Sequence, residues 1–198
     1  LGIARSTLSG WFKEVQLTEV QRTRLMKNSQ DGWKKARERA VESHRAQKAL
    51  RLLEAKTQAQ KTLDKLEVTD ELLDLAFAML YYGEGAKSGT TSIASSDPKI
   101  LKFVLYVLAR NYAVKPEIIR RDLHLRMDQD AEALKKYWAS QLRLPVGCFK
   151  YAAFDKRSEG KPTYERYMGV CVVTCHQVAI QRKIMYLYTL FCEKIEQL

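Results

Sequence analysis

Residues 75–85 read LAFAMLYYGEG, an apolar helix that runs straight into Glu84, one carboxylate set between Gly83 and Gly85. The carbonyl end of a helix carries partial negative charge, so an acid there is opposed by the helix dipole. Solvent and the lysines downstream are one source of compensation; a divalent cation, for which a hard oxygen ligand is suited, is the other. Glu84 therefore reads either as a solvated turn residue or as a metal ligand.

Upstream, Asp70, Glu71 and Asp74 cluster in the first turn after Thr69, and apolar residues then fill the helix to Tyr82, which predicts a deeply buried element. Downstream, TTSIASS alternates as a short strand. Asp97 then caps a helix with Pro98 at its first position, running to about Tyr112. A strand over 117–126 and a helix over 128–142 follow, closed by Pro145 and Gly147. Strands over 148–154 and 167–174, joined by the polar loop DKRSEGKPTYER, and a last helix over 176–197 complete the chain. This order predicts an α+β domain over 69–198 with an antiparallel sheet covered by helices.

Before residue 69 the texture is helical, since no proline precedes Pro98 and glycine is sparse. Thr18 and Gln21 form a capping-box pattern, so a helix should start after Thr18 and run to about Leu66, with a weak point at Gly32. Its apolar residues are too sparse for a heptad seam, and an amphipathic connector over 18–68, or an arm lying on another surface, fits better. Residues 1–68 hold 15 bases against 8 acids, seven of the net charge of +11. Such a balance favours a polyanionic partner such as nucleic acid or an anionic membrane surface. A basic helix can neutralise phosphates, although a solvated face with interspersed glutamates has the same composition.

No apolar run approaches the roughly 20 residues of a bilayer span, and no signal segment opens the chain, so a cytoplasmic protein without a membrane partner is expected. The four cysteines, at 148, 171, 175 and 192, lack the spacing of a zinc knuckle. Cys171 and Cys175 on one strand would share a face about 13 Å apart, too far for a disulfide, so buried reduced thiols are expected. His124 with Asp122, Asp128 and Asp130 suggests a metal or acid-base cluster, but Asp122 and His124 alternate on a strand face and Asp128 is also placed to cap the following helix. The many tyrosines suit either base stacking or packing.

The opening LGIARSTLSGW resembles the turn and recognition helix of a helix-turn-helix domain over residues 1–17. The resemblance makes Arg5, Ser6, Thr7 and Ser9 base or phosphate contacts and Lys13 a phosphate contact, with Leu8 and Trp11 packing behind. The chain begins in the middle of this pattern and reads as part of something longer.

Residues 77–85, FAMLYYGEG, resemble the helix that names the LAGLIDADG homing endonucleases and their DNA-binding relatives, matching in the alanine, the leucine, the acid and the last glycine. The resemblance extends loosely over 69–198, through the GEGAKSG turn and the SSDPKILKF helix start. It implies a helix packed against its twin in a homodimer, with Ala78 and Gly83 permitting close approach. It also implies double-stranded DNA as partner and Glu84 as the catalytic ligand of a divalent cation such as Mg²⁺. Two carboxylates brought together would repel unless a metal bridged them, and that metal would activate water for phosphodiester hydrolysis. Lys87, Lys150 and Lys156 are the candidate basic contacts. The chain departs from the family in having Glu84 for the commoner aspartate and a helix at 97–112 where a strand hairpin is expected. A transcriptional regulator that binds DNA without cutting is the alternative, because some regulators keep such a domain beside a helix-turn-helix.

Overall fold

The computed structural model describes residues 2–87 and 89–198, apart from the side chain of Arg5. The chain divides into two compact units, 1–67 and 68–198.

In the first unit, α1 spans Arg5–Trp11 and α2 spans Glu19–Leu63. The capping box forms in both directions: the Thr18 hydroxyl accepts the Gln21 N–H at 3.3 Å, and the Gln21 side-chain oxygen accepts the Thr18 N–H at 2.9 Å. From that start α2 runs 45 residues without a break at Gly32, about 67 Å at 1.5 Å per residue. None of its residues is buried. The amphipathic face expected of the connector is absent, because Val20, Leu25, Trp33, Leu50 and Leu53 are spread around the axis and all exposed.

The second unit holds α3 (Asp70–Glu84), β1 (Thr91–Ser95), α4 (Pro98–Tyr112), β2 (Arg120–Arg126), α5 (Ala131–Leu142), β3 (Phe149–Asp155), β4 (Val170–Cys175) and α6 (Val178–Glu196). Side chains cap three of its helices: Thr69 accepts the Leu72 N–H, Asp97 accepts the Lys99 N–H, and Asp130 accepts those of Glu132 and Ala133. Asp130, not Asp128, thus caps α5. Asp128 instead accepts the Thr163 N–H and hydroxyl at 2.7 and 2.5 Å, pinning the loop before β4 and holding its own carboxyl below the usual range.

The four strands lie in the order β1-β4-β2-β3. β4 pairs antiparallel with both β1 and β2, while β3 runs parallel to β2. The sheet is therefore mixed, which corrects the expectation of an antiparallel one. α5 and its following turn carry the chain back along the sheet before β3 begins, and a helical crossover of that length returns the next strand in the same direction.

Strand alternation sorts the two faces. Leu123, Leu125, Cys171, Val173 and Ile93 are buried against Phe77, Leu101, Val104, Leu108, Trp138 and Ile184 of the helices. The alternate residues Ser92, Ala94, Thr174, Val172, Val170, Arg120 and His124 are partly or fully exposed. The helices of this unit thus cover one face of the sheet and leave the other open. Trp138 fixes its edge of the core, donating its indole N–H to the Met168 carbonyl at 2.7 Å. The cysteines are all free, with Cys171 and Cys175 buried as expected. Burial pushes the Cys171 thiol up to about 12 against the opposing influence of Arg121.

α3 is buried along one stripe, Leu73, Asp74, Phe77, Ala78 and Tyr81, and not all round. Ala76, Tyr82, Gly83 and Glu84 are exposed, and Leu72, Leu75 and Met79 are half-buried. The uniformly apolar sequence hid this division, since a helix with no polar face carries no marker of which side is outward.

Candidate nucleic-acid interface and its carboxylate

The turn after α3 is organised by Tyr81. Its side chain is fully buried, and its hydroxyl lies 2.7 Å from the Ala86 carbonyl and 3.0 Å from that of Thr90, while accepting the Ser92 N–H at 3.2 Å. Burial raises the phenol above its ordinary value, and the Ser92 N–H opposes this. Gly85 crosses directly over the ring: a Cβ there would sit 2.5 Å from it. The backbone of Gly85 is extended, with φ −85° and ψ 161°, so this glycine provides close approach and not a left-handed helix cap.

Lys87 compensates the helix end. Its ammonium donates to the Tyr81 carbonyl at 3.2 Å and to the Tyr82 carbonyl, and lies 4.8 Å from the centre of the Tyr82 ring. A cation against the last carbonyls is favoured by the dipole. The Tyr82 ring also stacks on Tyr188 of α6, with centroids 3.6 Å apart. Lys87, expected as a DNA contact, is therefore engaged in holding α3.

Glu84 is exposed and takes part in no hydrogen bond or ion pair among the described residues. Nor do those residues include a group of three or more His, Cys, Asp or Glu side chains able to hold a metal ion. A carboxylate alone does not make a divalent-cation site, so one chain by itself does not fit Mg²⁺ at Glu84.

The open sheet face gathers the polar residues of β2 and β4. Arg120, Asp122, His124 and Arg126 alternate along β2, facing Tyr151, Ala153 and Asp155 of β3 on one side and Thr174, Val172 and Val170 of β4 on the other. Arg120 pairs with Asp122 at 2.6 Å. Arg126 donates to the Lys161 carbonyl at 3.0 Å, which ties the loop before β4 to the sheet. A cleft of about 550 Å³ opens beside His124 and Arg126, walled by Phe154, Arg157, Tyr164 and Tyr167. A second, of about 650 Å³, lies toward the opposite end of β2, beside Arg120, Lys150, Tyr151 and His176. His124 thus belongs to this face and not to an acid-base cluster: Asp122 holds Arg120, Asp128 holds Thr163, and Asp130 caps α5.

The expected basic contacts scatter. Lys150 is exposed at the irregularity where Arg121 pairs with Phe149 and Asp122 with Tyr151, which leaves Lys150 unpaired beside the open face. Lys156 is exposed in the 3-10 turn Lys156–Ser158 that follows β3. Ser6, Thr7 and Ser9 are exposed on α1, and Lys13 is exposed in the turn after it. Leu1 and the side chain of Arg5 lie outside the described residues. Leu8 and Trp11 do not pack behind these residues: they are 37% and 65% exposed. Arg120 and Arg126 were missed by sequence reasoning, which noticed His124 only as part of a cluster with Asp122, Asp128 and Asp130. Their signal was present, since RRDLHLR places charge at every second residue opposite Leu123 and Leu125.

No protein-family model, curated protein or solved structure matches the chain. Among the described residues no helix is long and apolar enough to cross a membrane.

Proposed function

We propose that the chain is a DNA-binding protein whose α+β unit lays its open sheet face on duplex DNA. The observation that carries this reading is the sheet itself: helices cover one side, and Arg120, His124, Arg126 and Lys150 stand on or beside the other. Arginine and lysine at such a face neutralise phosphates, while His124, Thr174 and Tyr151 are of the size and polarity that reach base edges. The basic α2 and the exposed Ser6, Thr7, Ser9 and Lys13 add further phosphate contacts.

The resemblance of residues 77–85 to the LAGLIDADG helix extends this reading to a homodimer. Exposed Ala76 and Gly83, with half-buried Leu72, Leu75 and Met79, give α3 a small, apolar outer side on which a twin helix can pack closely. A Cβ at Gly83 would meet nothing within 4 Å, so this stretch is open to a neighbour. Two-fold packing there would bring two Glu84 side chains together. Among the described residues a single chain offers Glu84 no further ligands for a cation, so the cleaving form of the proposal rests on that pairing, and the regulator form needs DNA binding alone.

The test is incubation with supercoiled plasmid, with and without Mg²⁺, beside filter or gel binding at several salt concentrations. Cleavage that needs Mg²⁺ and is lost in Glu84→Gln identifies an endonuclease. Binding without cutting identifies the regulator. Binding that is unchanged when Arg120, His124 and Lys150 are replaced together by alanine would remove the sheet face from the reading.

A further inference from the structure

Arg121 sits on the helix-covered side of β2 and is 2% exposed. Its guanidinium donates to the Ile119 carbonyl at 2.8 Å and the Pro116 carbonyl at 3.1 Å. A guanidinium carries five N–H donors. Nε is buried without a partner, and no carboxylate among the described residues pairs with this cation. Burial lowers its proton affinity, opposed by more distant groups including Glu117. A buried charge without a counter-charge is strongly unfavourable, and an arginine retained in that state is suited to an anion brought from outside.

Arg121 also forms part of the wall of a cleft of about 560 Å³ between α4 and the turn that follows α5. That size suits a small ligand. Leu105, Val114, Ile119, Leu142 and Leu144 supply its apolar surface, and its charged lining residues are Lys102, Arg121 and Arg143, with no acid. The Tyr106 hydroxyl, which accepts from Arg110 at 2.7 Å, keeps its own proton to donate. Lys102 and Arg143 thus set positive charge against a hydrocarbon surface, and Arg121 borders both this cleft and the one beside Arg120, Lys150 and Glu117.

We infer that this cleft is a binding site for a small amphipathic anion, an aliphatic body ending in a single carboxylate or phosphate. The head would be held by Arg121 with Lys102 and Arg143, and the tail by the leucines. The site is independent of the DNA-binding reading and stands if that reading fails.

The test uses the full chain and calorimetric titration with octanoate, octyl phosphate and octanol. Expected is saturable one-to-one binding of an anion, with octanol at least tenfold weaker. Whichever of octanoate and octyl phosphate binds more tightly identifies the head group. Arg121→Met removes the buried cation but also two hydrogen bonds of the fold, so Lys102→Gln and Arg143→Gly serve beside it. Arg143 has a left-handed backbone, φ 56°, which glycine adopts without strain. Each of these two variants should weaken anion binding about three- to tenfold while leaving the melting temperature of the free protein close to wild type, in keeping with loss of one charge-assisted contact. Equal affinity for octanol and the anions, no binding of either anion at millimolar concentration, or unchanged affinity in both variants overturns the proposal.

Discussion

Two carboxylates on α3, ten residues apart, live in opposite circumstances. Asp74 is buried near the start of the helix, accepting from the Asn111 amide at 2.8 Å and the Lys183 ammonium at 2.6 Å. Asn111 also donates to the Asp70 carbonyl at 2.7 Å, so one amide and one lysine tie α4 and α6 to α3. Glu84 stands at the other end, exposed, without a side-chain partner among the described residues and against the dipole. Burial acts to raise the Asp74 carboxyl, but the hydrogen bonds from Lys183 and Asn111 outweigh it and hold the group below its ordinary 3.8. The contrast teaches where a function should be sought. An acid whose every interaction is internal serves the fold, whereas one that the fold opposes and leaves free is available to something outside the chain.

The sharpest way to break this contrast is Asp74→Ala. Losing it strands the Asn111 amide and Lys183, and the expected cost is about 3 kcal/mol, the lower end for a buried pair because Lys183 is half-exposed. Urea denaturation measures it, and a loss below about 1 kcal/mol would place Asp74 with Glu84 after all. The same carboxyl sets an acid limb. Its folded value lies below the unfolded one, so its contribution is fully present above pH 3.8 and is lost as pH falls further through the folded value. Wild type should lose stability over that window and Asp74→Asn should not lose this part of it.

Gly85→Ala comes next. The added methyl meets the buried Tyr81 ring, and about 2 kcal/mol of destabilisation is expected in the same assay, as for other overpacked sites. Lys87→Met should cost about 0.5–1 kcal/mol by removing the cation from the last carbonyls of α3. Glu84→Gln should change stability least, by under about 0.5 kcal/mol and in the stabilising direction, because an acid is removed from a carbonyl end. A clear destabilisation in that variant would mean that Glu84 has an internal partner and would dissolve the comparison.

Much of this arrangement was legible in the sequence. Thr18 with Gln21, Thr69, and Asp97 with Pro98 are local signals, and each helix starts where they stand. The acid set against its helix dipole was visible as well. Strand partners were not, because β1 pairs with β4 about eighty residues away and no local rule specifies such a pairing. Nor was the role of Lys87: a lysine in a turn reads the same whether it reaches for phosphate or folds back on a helix end. The Asp74 and Lys183 pair spans 109 residues and leaves no mark on either local stretch.

The position of β4 also has a consequence for the order in which the chain can mature. Of the four described strands it is made last, yet it lies between β1 and β2. Until Val170–Cys175 leaves the ribosome, β1 has no neighbour, and β2 with β3 forms an isolated pair. The unit cannot close its sheet residue by residue from the N-terminus, and closure waits for a single late insertion that joins both parts. A nascent chain halted before Val170 should accordingly remain protease-sensitive throughout its second unit, and extension through β4 and α6 should convert it in one step.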